Sequence, residues 1–241
     1  MITIKNIGFC YPDGHRALNH VSIDIQKGTN VAVVGANGAG KSTLLALIVG
    51  LYNLMEGKIE IDGTAVGKGT LVEIRKKVGF VFQNPDDQLF MARVYDDISF
   101  GPRNFGYPPE KITVMADTAL EIMKIGHLKD RAPHKLSGGE KRNVAIAAVL
   151  AMNPEVLLLD EPSSYLDPKS RRNFILAMEK LPHTKLIATH DLDLVLDLCD
   201  RVIIMSRGEI IADGAPMELF LDDKLMDRSG LELPLSLQIR K

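Results

Sequence analysis

The sequence predicts an α/β fold, and three observations predict it. Short apolar runs rich in Val, Leu and Ile alternate with helix-like segments through the second half of the chain, the pattern of a parallel sheet covered on both faces. The first 34 residues read instead as strands separated by turn residues, as expected of an N-terminal antiparallel β region. The stretch from Val94 to about Met152 interrupts the alternation with mostly helical periodicity. The expectation is therefore a single domain over 1–241. Residues 1–93 and 154–220 form the α/β core with its β region, 94–153 an inserted helical subdomain, and 221–241 a tail.

Ile2 to Phe9, Leu18 to Ile25 and Asn30 to Val34 are the first strands, and Lys41 to Leu51 is a helix directly after a Gly-rich turn. Lys58 to Ile61 and Val78 to Phe82 are short strands. From about Glu110 to Ile125 the period becomes 3.6, which puts Ile112, Met115, Ala116, Ala119, Ile122 and Met123 on one face. Ser137 is placed as the N-cap of a helix running to about Met152, where Asn153-Pro154 ends it. Then strands at Val156 to Leu159, Lys185 to Thr189 and Val202 to Met205 alternate with helices at Pro168 to Leu181 and Leu192 to Cys199. Glu209 to Gly214 closes a hairpin with Ile203 to Ser206, and weak periodicity from Leu221 onward assigns no role there.

The bulk numbers exclude several classes. With 29 basic and 31 acidic residues the net charge is −2, which gives no electrostatic reason to expect nucleic acid as a partner. The longest apolar run, Val144 to Met152, falls well short of the ~20 residues needed to cross a bilayer. The N-terminus alternates like a strand and shows no signal peptide, so a membrane role is expected to come through a partner. Cys10 and Cys199 are far apart and lack metal-ligand spacing, so both are expected to be reduced, buried thiols.

Gly35-Ala36-Asn37-Gly38-Ala39-Gly40-Lys41-Ser42 fits the P-loop pattern at every fixed position, between a strand and a helix opening at Thr43. Its backbone N–H groups converge on phosphate oxygens, and the helix N-terminus adds positive potential. Lys41 then serves the β- and γ-phosphates, and Ser42 turns its hydroxyl to Mg²⁺. Val156 to Leu159 ends in Asp160-Glu161 at a strand's C-terminal edge, where ligands of open parallel sheets collect. Asp160 can hold Mg²⁺ and Glu161 can orient and polarise an attacking water. The fold class is thus α/β of the P-loop NTPase type, with a RecA-like parallel-sheet core and a nucleotide with Mg²⁺ as ligands; many proteins share these two patterns. A Gly-rich turn without ligand would explain neither Lys41 nor Ser42.

A second Gly-rich helix start, Leu136-Ser137-Gly138-Gly139-Glu140-Lys141-Arg142, offers another anion site. With this motif the chain resembles the ABC ATPase family from about Ile2 to Gly214. The resemblance implies a dimer in which Ser137, Gly138 and Gly139 of one subunit close on the nucleotide held by the P-loop of the other. It makes Tyr11 the aromatic residue stacked on adenine and Gln83 the glutamine that contacts Mg²⁺ and the attacking water. Asp167, in Ser164-Tyr165-Leu166-Asp167, becomes the carboxylate of the loop crossing the dimer interface. His190 becomes the switch histidine at γ-phosphate, and the other five histidines match nothing.

Gln83 to Phe90, Val94 to Pro102 and the Glu140 that replaces the commoner glutamine resemble the ATPases of energy-coupling factor importers for vitamins, cobalt or nickel. That implies a transmembrane coupling subunit, a substrate-capturing membrane subunit and a place on the cytoplasmic face of the membrane. Leu89, Phe90, Met91 and Phe100 suit either a docking surface or core packing. Arg93 departs from the pattern, standing where a small hydroxyl residue is expected, and the short tail favours a homodimer over a heterodimer with a related ATPase. The rival is an ATPase of a conventional ABC importer or exporter. A DNA-repair or chromosome type would insert coiled coils or zinc modules between the two Gly-rich motifs, a translation-factor type would carry two cassettes, and a non-catalytic binding module would not hold every hydrolytic residue.

Overall fold

The computed structural model describes residues 1–238. The tail expected over 221–241 therefore extends at 239–241 beyond the described residues. Chain order is β1 (Ile2–Cys10), β2 (Arg16–Ile25), β3 (Asn30–Val34), α1 (Lys41–Ile48), β4 (Glu56–Ile61), β5 (Thr64–Ala65), α2 (Leu71–Lys77) and β6 (Val78–Val81). Helices α3 (Val94–Asn104), α4 (Pro109–Ile122) and α5 (Gly138–Leu150) follow. The chain returns through β7 (Val156–Asp160), α6 (Pro168–Lys180), β8 (Thr184–Ala188), α7 (Leu192–Leu198), β9 (Arg201–Ser206) and β10 (Glu209–Gly214). It ends in the short helices α8 (Pro216–Phe220), α9 (Asp223–Ser229) and α10 (Leu235–Gln238).

Two sheets result. The antiparallel one runs β2-β1-β4-β5, and the six-stranded one runs β10-β9-β3-β8-β7-β6, parallel except for β10. In register, Val33 lies beside Ala188, Ala188 beside Asp160, and Leu159 beside Val81. Those pairings line up the C-terminal ends of β3, β8, β7 and β6 along one edge. The residues that leave these strands are therefore Gly35, Thr189, Glu161 and Phe82, followed by His190 and Gln83. An open parallel sheet presents its ligand site at this edge.

Strand β7 shows why its run is continuously apolar. Leu158 packs with the antiparallel sheet and α1, whereas Leu157 and Leu159 pack with the helical segment. Both faces are covered, so no polar alternation survives. A third cluster joins Val34 and Ile204 to Phe220, Leu225 and Met226, so α8 and α9 pack on the sheet rather than hanging free. On α4, Ile112, Ala116, Ala119 and Met123 are buried as expected, while Met115 and Ile122 are only half-buried and Leu120 joins the core. Cys10 and Cys199 are free but partly rather than fully buried. Burial, with Asp200 beside it, pushes the Cys199 thiol up to about 12, so it carries no thiolate at neutral pH.

Arg93 is the N-cap of α3, and its side chain makes no capping bond. Its guanidinium instead pairs with Asp96 at 2.9 Å, and Arg103 also reaches Asp96 at 3.4 Å. A hydroxyl at this position can accept from the first turn's free N–H groups, and Asp96 would keep Arg103. Arg93→Thr is expected to raise the melting temperature by about 1–2 °C, the net of a gained cap over a lost exposed pair. A fall in the thermal melt would show that the ion pair outweighs the cap.

Candidate functional site

One cavity of about 400 Å³ opens at the sheet edge and is lined by Tyr11, His15, Ala17, Asn37, Gly38, Ala39, Gly40, Lys41, Ser42, Thr43, Gln83 and Glu161. The P-loop that forms its floor is built by glycine. Gly40 has φ +101, and a Cβ there would meet the Ala17 carbonyl oxygen at 2.5 Å and Leu18 at 2.8 Å. Only glycine tolerates both demands. A Cβ on Gly35 would meet the Met205 carbonyl oxygen at 2.3 Å.

Lys41 is 6% exposed and curls over the loop, its Nζ donating to the carbonyls of Gly35 at 2.7 Å and Ala36 at 3.2 Å. Burial lowers its pKa, while Glu161 and Asp160 act to raise it. The Ser42 hydroxyl donates to Asp160 Oδ1 at 3.1 Å. Burial, with Glu161 adjoining, pushes the Asp160 carboxyl up, against the opposing pull of Ser42 and Lys41. Tyr11 Oη and Thr43 Oγ1 lie 2.8 Å apart, and the Tyr11 ring meets Phe9 and Tyr52 edge-to-face.

Glu161 leaves β7 with φ +47, a left-handed conformation that a non-glycine residue keeps only where its surroundings impose it. Its Oε2 accepts from the Thr189 hydroxyl at 3.2 Å and the His190 N–H at 3.3 Å, and lies 2.8 Å from His190 Nδ1. Glu161 is therefore nearly enclosed, whereas the His190 side chain is two-thirds exposed. Gln83 is exposed at the cavity wall. A cation that touches only hard oxygens suits Ser42 and Asp160, and such a cation keeps several waters and binds phosphate oxygens as well. Among the described residues no group of three or more His, Cys, Asp or Glu is placed to hold a metal ion.

Ser137, Gly138, Gly139 and Asp167 do not line this cavity. Ser137 and Gly138 are exposed at the start of α5, where Ser137 and Glu140 form a capping box. Tyr165 packs beneath them, since a Cβ on Gly138 would come within 3.2 Å of it. Asp167 caps α6, accepting from the N–H of Ser170 at 2.8 Å.

Sequence reasoning missed four participants. His15 and Ala17 line the cavity, Thr189 holds Glu161, and Arg171 grips Asp191 next to His190. A threonine beside the histidine was the one available signal. Burial opposes the charge on Asp191, but the Arg171 fork at 2.8 and 3.0 Å and the Leu194 N–H at 2.8 Å outweigh it and hold the carboxyl below its usual range. A depressed carboxyl adds stability above its unfolded pKa of ~3.9 and loses it as pH falls through the native value. Asp191→Asn should therefore cost about 1–3 kcal/mol at pH 7, and the gap should shrink below ~pH 4. Denaturant titrations at pH 7 and pH 3.5 read it; a gap of constant size would sink the assignment.

A strand, a glycine-built phosphate loop, a helix opening at Lys41 and acidic residues at the end of β7, across β8 from the loop's strand, define a P-loop ATPase. The chain belongs to the ABC transporter family, whose profile matches residues 18–164. It is 47% identical over 238 residues to an ABC transporter ATP-binding protein of Geobacter sulfurreducens, covering 99% of this chain and 96% of that one. It is 43% identical over 239 residues to the energy-coupling factor transporter ATP-binding protein EcfA of Methanothermobacter thermautotrophicus, covering 97% of this chain and 77% of that one. The fold resembles cbiO1 of Clostridium perfringens, part of the ABC transporter complex cbiONQ, with TM-score 0.83 and 38% identity over 99% of this chain and 98% of that one. A dimeric ATP-binding cassette in a post-hydrolysis state with ADP and Pi gives TM-score 0.82 and 29% identity over 90% of this chain and 99% of that one. The chain is thus the ATP-binding subunit of an ABC transporter, and its reaction is ATP hydrolysis coupled to transport.

Proposed function

We propose that this chain powers an importer of the energy-coupling factor type, carrying a metal ion such as cobalt or nickel, or a vitamin. It works as a dimer at the cytoplasmic face of the membrane. The observation that carries the reading is the divided site. One chain gathers the P-loop, Gln83 and Glu161 around a single cavity, while Ser137 and Gly138 stay exposed outside it. A second copy, or a related ATPase, supplies the missing turn. The likeness to EcfA and cbiO1 supports the importer type.

The residues divide the work. The loop amides and Lys41 hold the phosphates, and the Tyr11 ring supports the adenine. Ser42 and Asp160, with Gln83 nearby, are the groups suited to Mg²⁺. When bound, that ion neutralises charge on the β- and γ-oxygens. Glu161 accepts the proton of the attacking water, with Thr189 and His190 fixing its orientation. Ser137, Gly138 and Gly139 of the opposite subunit stabilise charge on the γ-phosphate, with Asp167 at that interface. Positioning and charge stabilisation account for most of the rate.

No helix among the described residues is long and apolar enough to cross a membrane. Phe90 and Phe100 are exposed and meet edge-to-face, with centroids 4.9 Å apart. Buried Asp97 of α3 holds the loop that carries Phe90, accepting from the N–H groups of Phe90 at 3.0 Å and Met91 at 3.1 Å. Leu89 turns into the core instead. An exposed aromatic pair formed between the loop at Phe90 and helix α3 suits a helix of a membrane partner. Affinity purification from detergent-solubilised membranes tests the type. A transmembrane coupling protein and a small substrate-capturing membrane protein are expected together; recovery with a conventional pair of permease domains alone would overturn it.

A further inference from the structure

Arg142 lies one turn into α5 beyond the Ser137-Gly138-Gly139 turn, and it is completely buried. A buried guanidinium ordinarily meets a carboxylate. This one meets main-chain carbonyls instead: Nη1 donates to Phe82 O at 2.6 Å and Nη2 donates to Gln83 O, while Nε has no partner. The Tyr165 ring lies 5.9 Å from its central carbon. Two further ties join the same helix to the same segment. Gln88 Nε2 donates to Ala145 O at 2.7 Å, and Lys141 Nζ donates to Asp86 at 2.6 Å. The segment from Phe82 to Gln88 is thus fastened to α5 at three points. Of these, only Arg142 grips the main chain of Gln83.

We infer that Arg142 is a positioning residue that sets Gln83 from α5, so that the Ser137-Gly138-Gly139 turn and Gln83 move as one body. The inference rests on the proposed role of Gln83 in hydrolysis. Its consequence is that whatever displaces the turn serving one nucleotide site also displaces the glutamine of the chain's own site. The planar fork matters because it reaches two successive carbonyls at fixed angles, which a lysine ammonium cannot reproduce.

The test compares Arg142→Lys with wild type in the full chain, both with Gln83 present and in a Gln83→Ala background. Steady-state ATPase rates are recorded for all four proteins, and thermal melts for these and for Arg142→Gln. With Gln83 present, the substitution is expected to lower kcat about tenfold, to leave KM within about twofold and to preserve a cooperative melt. In the Gln83→Ala background the same substitution should cost less than about twofold, because the two changes act through one group. An equal loss in both backgrounds, an undiminished rate, or loss of the cooperative melt in Arg142→Lys and Arg142→Gln alike would overturn the inference. A full rate in Gln83→Ala alone would instead remove the proposed role of Gln83 itself.

Discussion

Glu161→Gln should lower ATP turnover by about 10²–10⁴-fold while leaving ATP binding intact. The substitution is nearly isosteric. The amide oxygen can still accept from the Thr189 hydroxyl and the His190 N–H, so the local frame should survive. What disappears is the negative charge and the capacity to take a proton. Affinity should hold or rise, because a carboxylate beside Asp160 and the incoming phosphates is repelled by both. With Mg²⁺ and ATP the variant should accumulate as a dimer, the outcome that the proposed two-chain site, opened by hydrolysis, requires. Steady-state hydrolysis and light scattering with and without Mg-ATP read the two halves of this expectation. Turnover at the wild-type rate would show that the proton goes elsewhere.

The divided site also sets how the wild-type rate should behave. If one chain makes only half of each centre, specific activity should climb with protein concentration and saturate as dimers form. The phosphate loop and the acidic strand end leave the parallel sheet, whereas the turn at Ser137 opens α5 in the helical segment, whose core is shared with Leu157 and Leu159 of β7.

How much of this was legible in the sequence follows from how local each determinant is. The loop from Gly35 to Ser42 is specified within eight consecutive residues, and its glycines meet demands that the structure makes plain at Gly40. Strand β7 was legible because burial on both faces leaves a continuous apolar run ending in acid. Helix α2 was not, because Ile74 is its one buried residue and a single anchor has no period. Helices α8 and α9 are shorter than the window in which periodicity can be read. Leu89 and Phe90 are adjacent and both apolar, yet one enters the core and the other faces outward; they lie in a loop, where no period marks the buried side. Arg142 was visible as part of a motif, but a buried arginine bound to carbonyls leaves no sequence mark. The ties that pass between distant segments are the part that sequence reading cannot supply.

Lys41→Ala should weaken ATP binding by about 100-fold or more. The reason lies in how the side chain is already placed. Lys41 is almost completely buried, and its hydrogen bonds run to the Gly35 and Ala36 carbonyls rather than to a carboxylate. Much of the cost of stripping water from the ammonium has thus been met in the fold, and the lowered pKa records that cost. A phosphate entering the loop gains a desolvated cation without paying that term again. The same argument fixes the stability control. A lysine whose native pKa lies below its unfolded value opposes folding at neutral pH, where the unfolded chain holds the proton more tightly. Lys41→Met keeps the aliphatic stem and removes the charge, so its nucleotide-free melting temperature should match or exceed that of wild type. Calorimetric ATP titration beside thermal melts of both variants separates a lost phosphate ligand from a damaged loop. Unchanged ATP affinity in either variant would mean that the phosphates lie elsewhere, and the cradle reading would go with them.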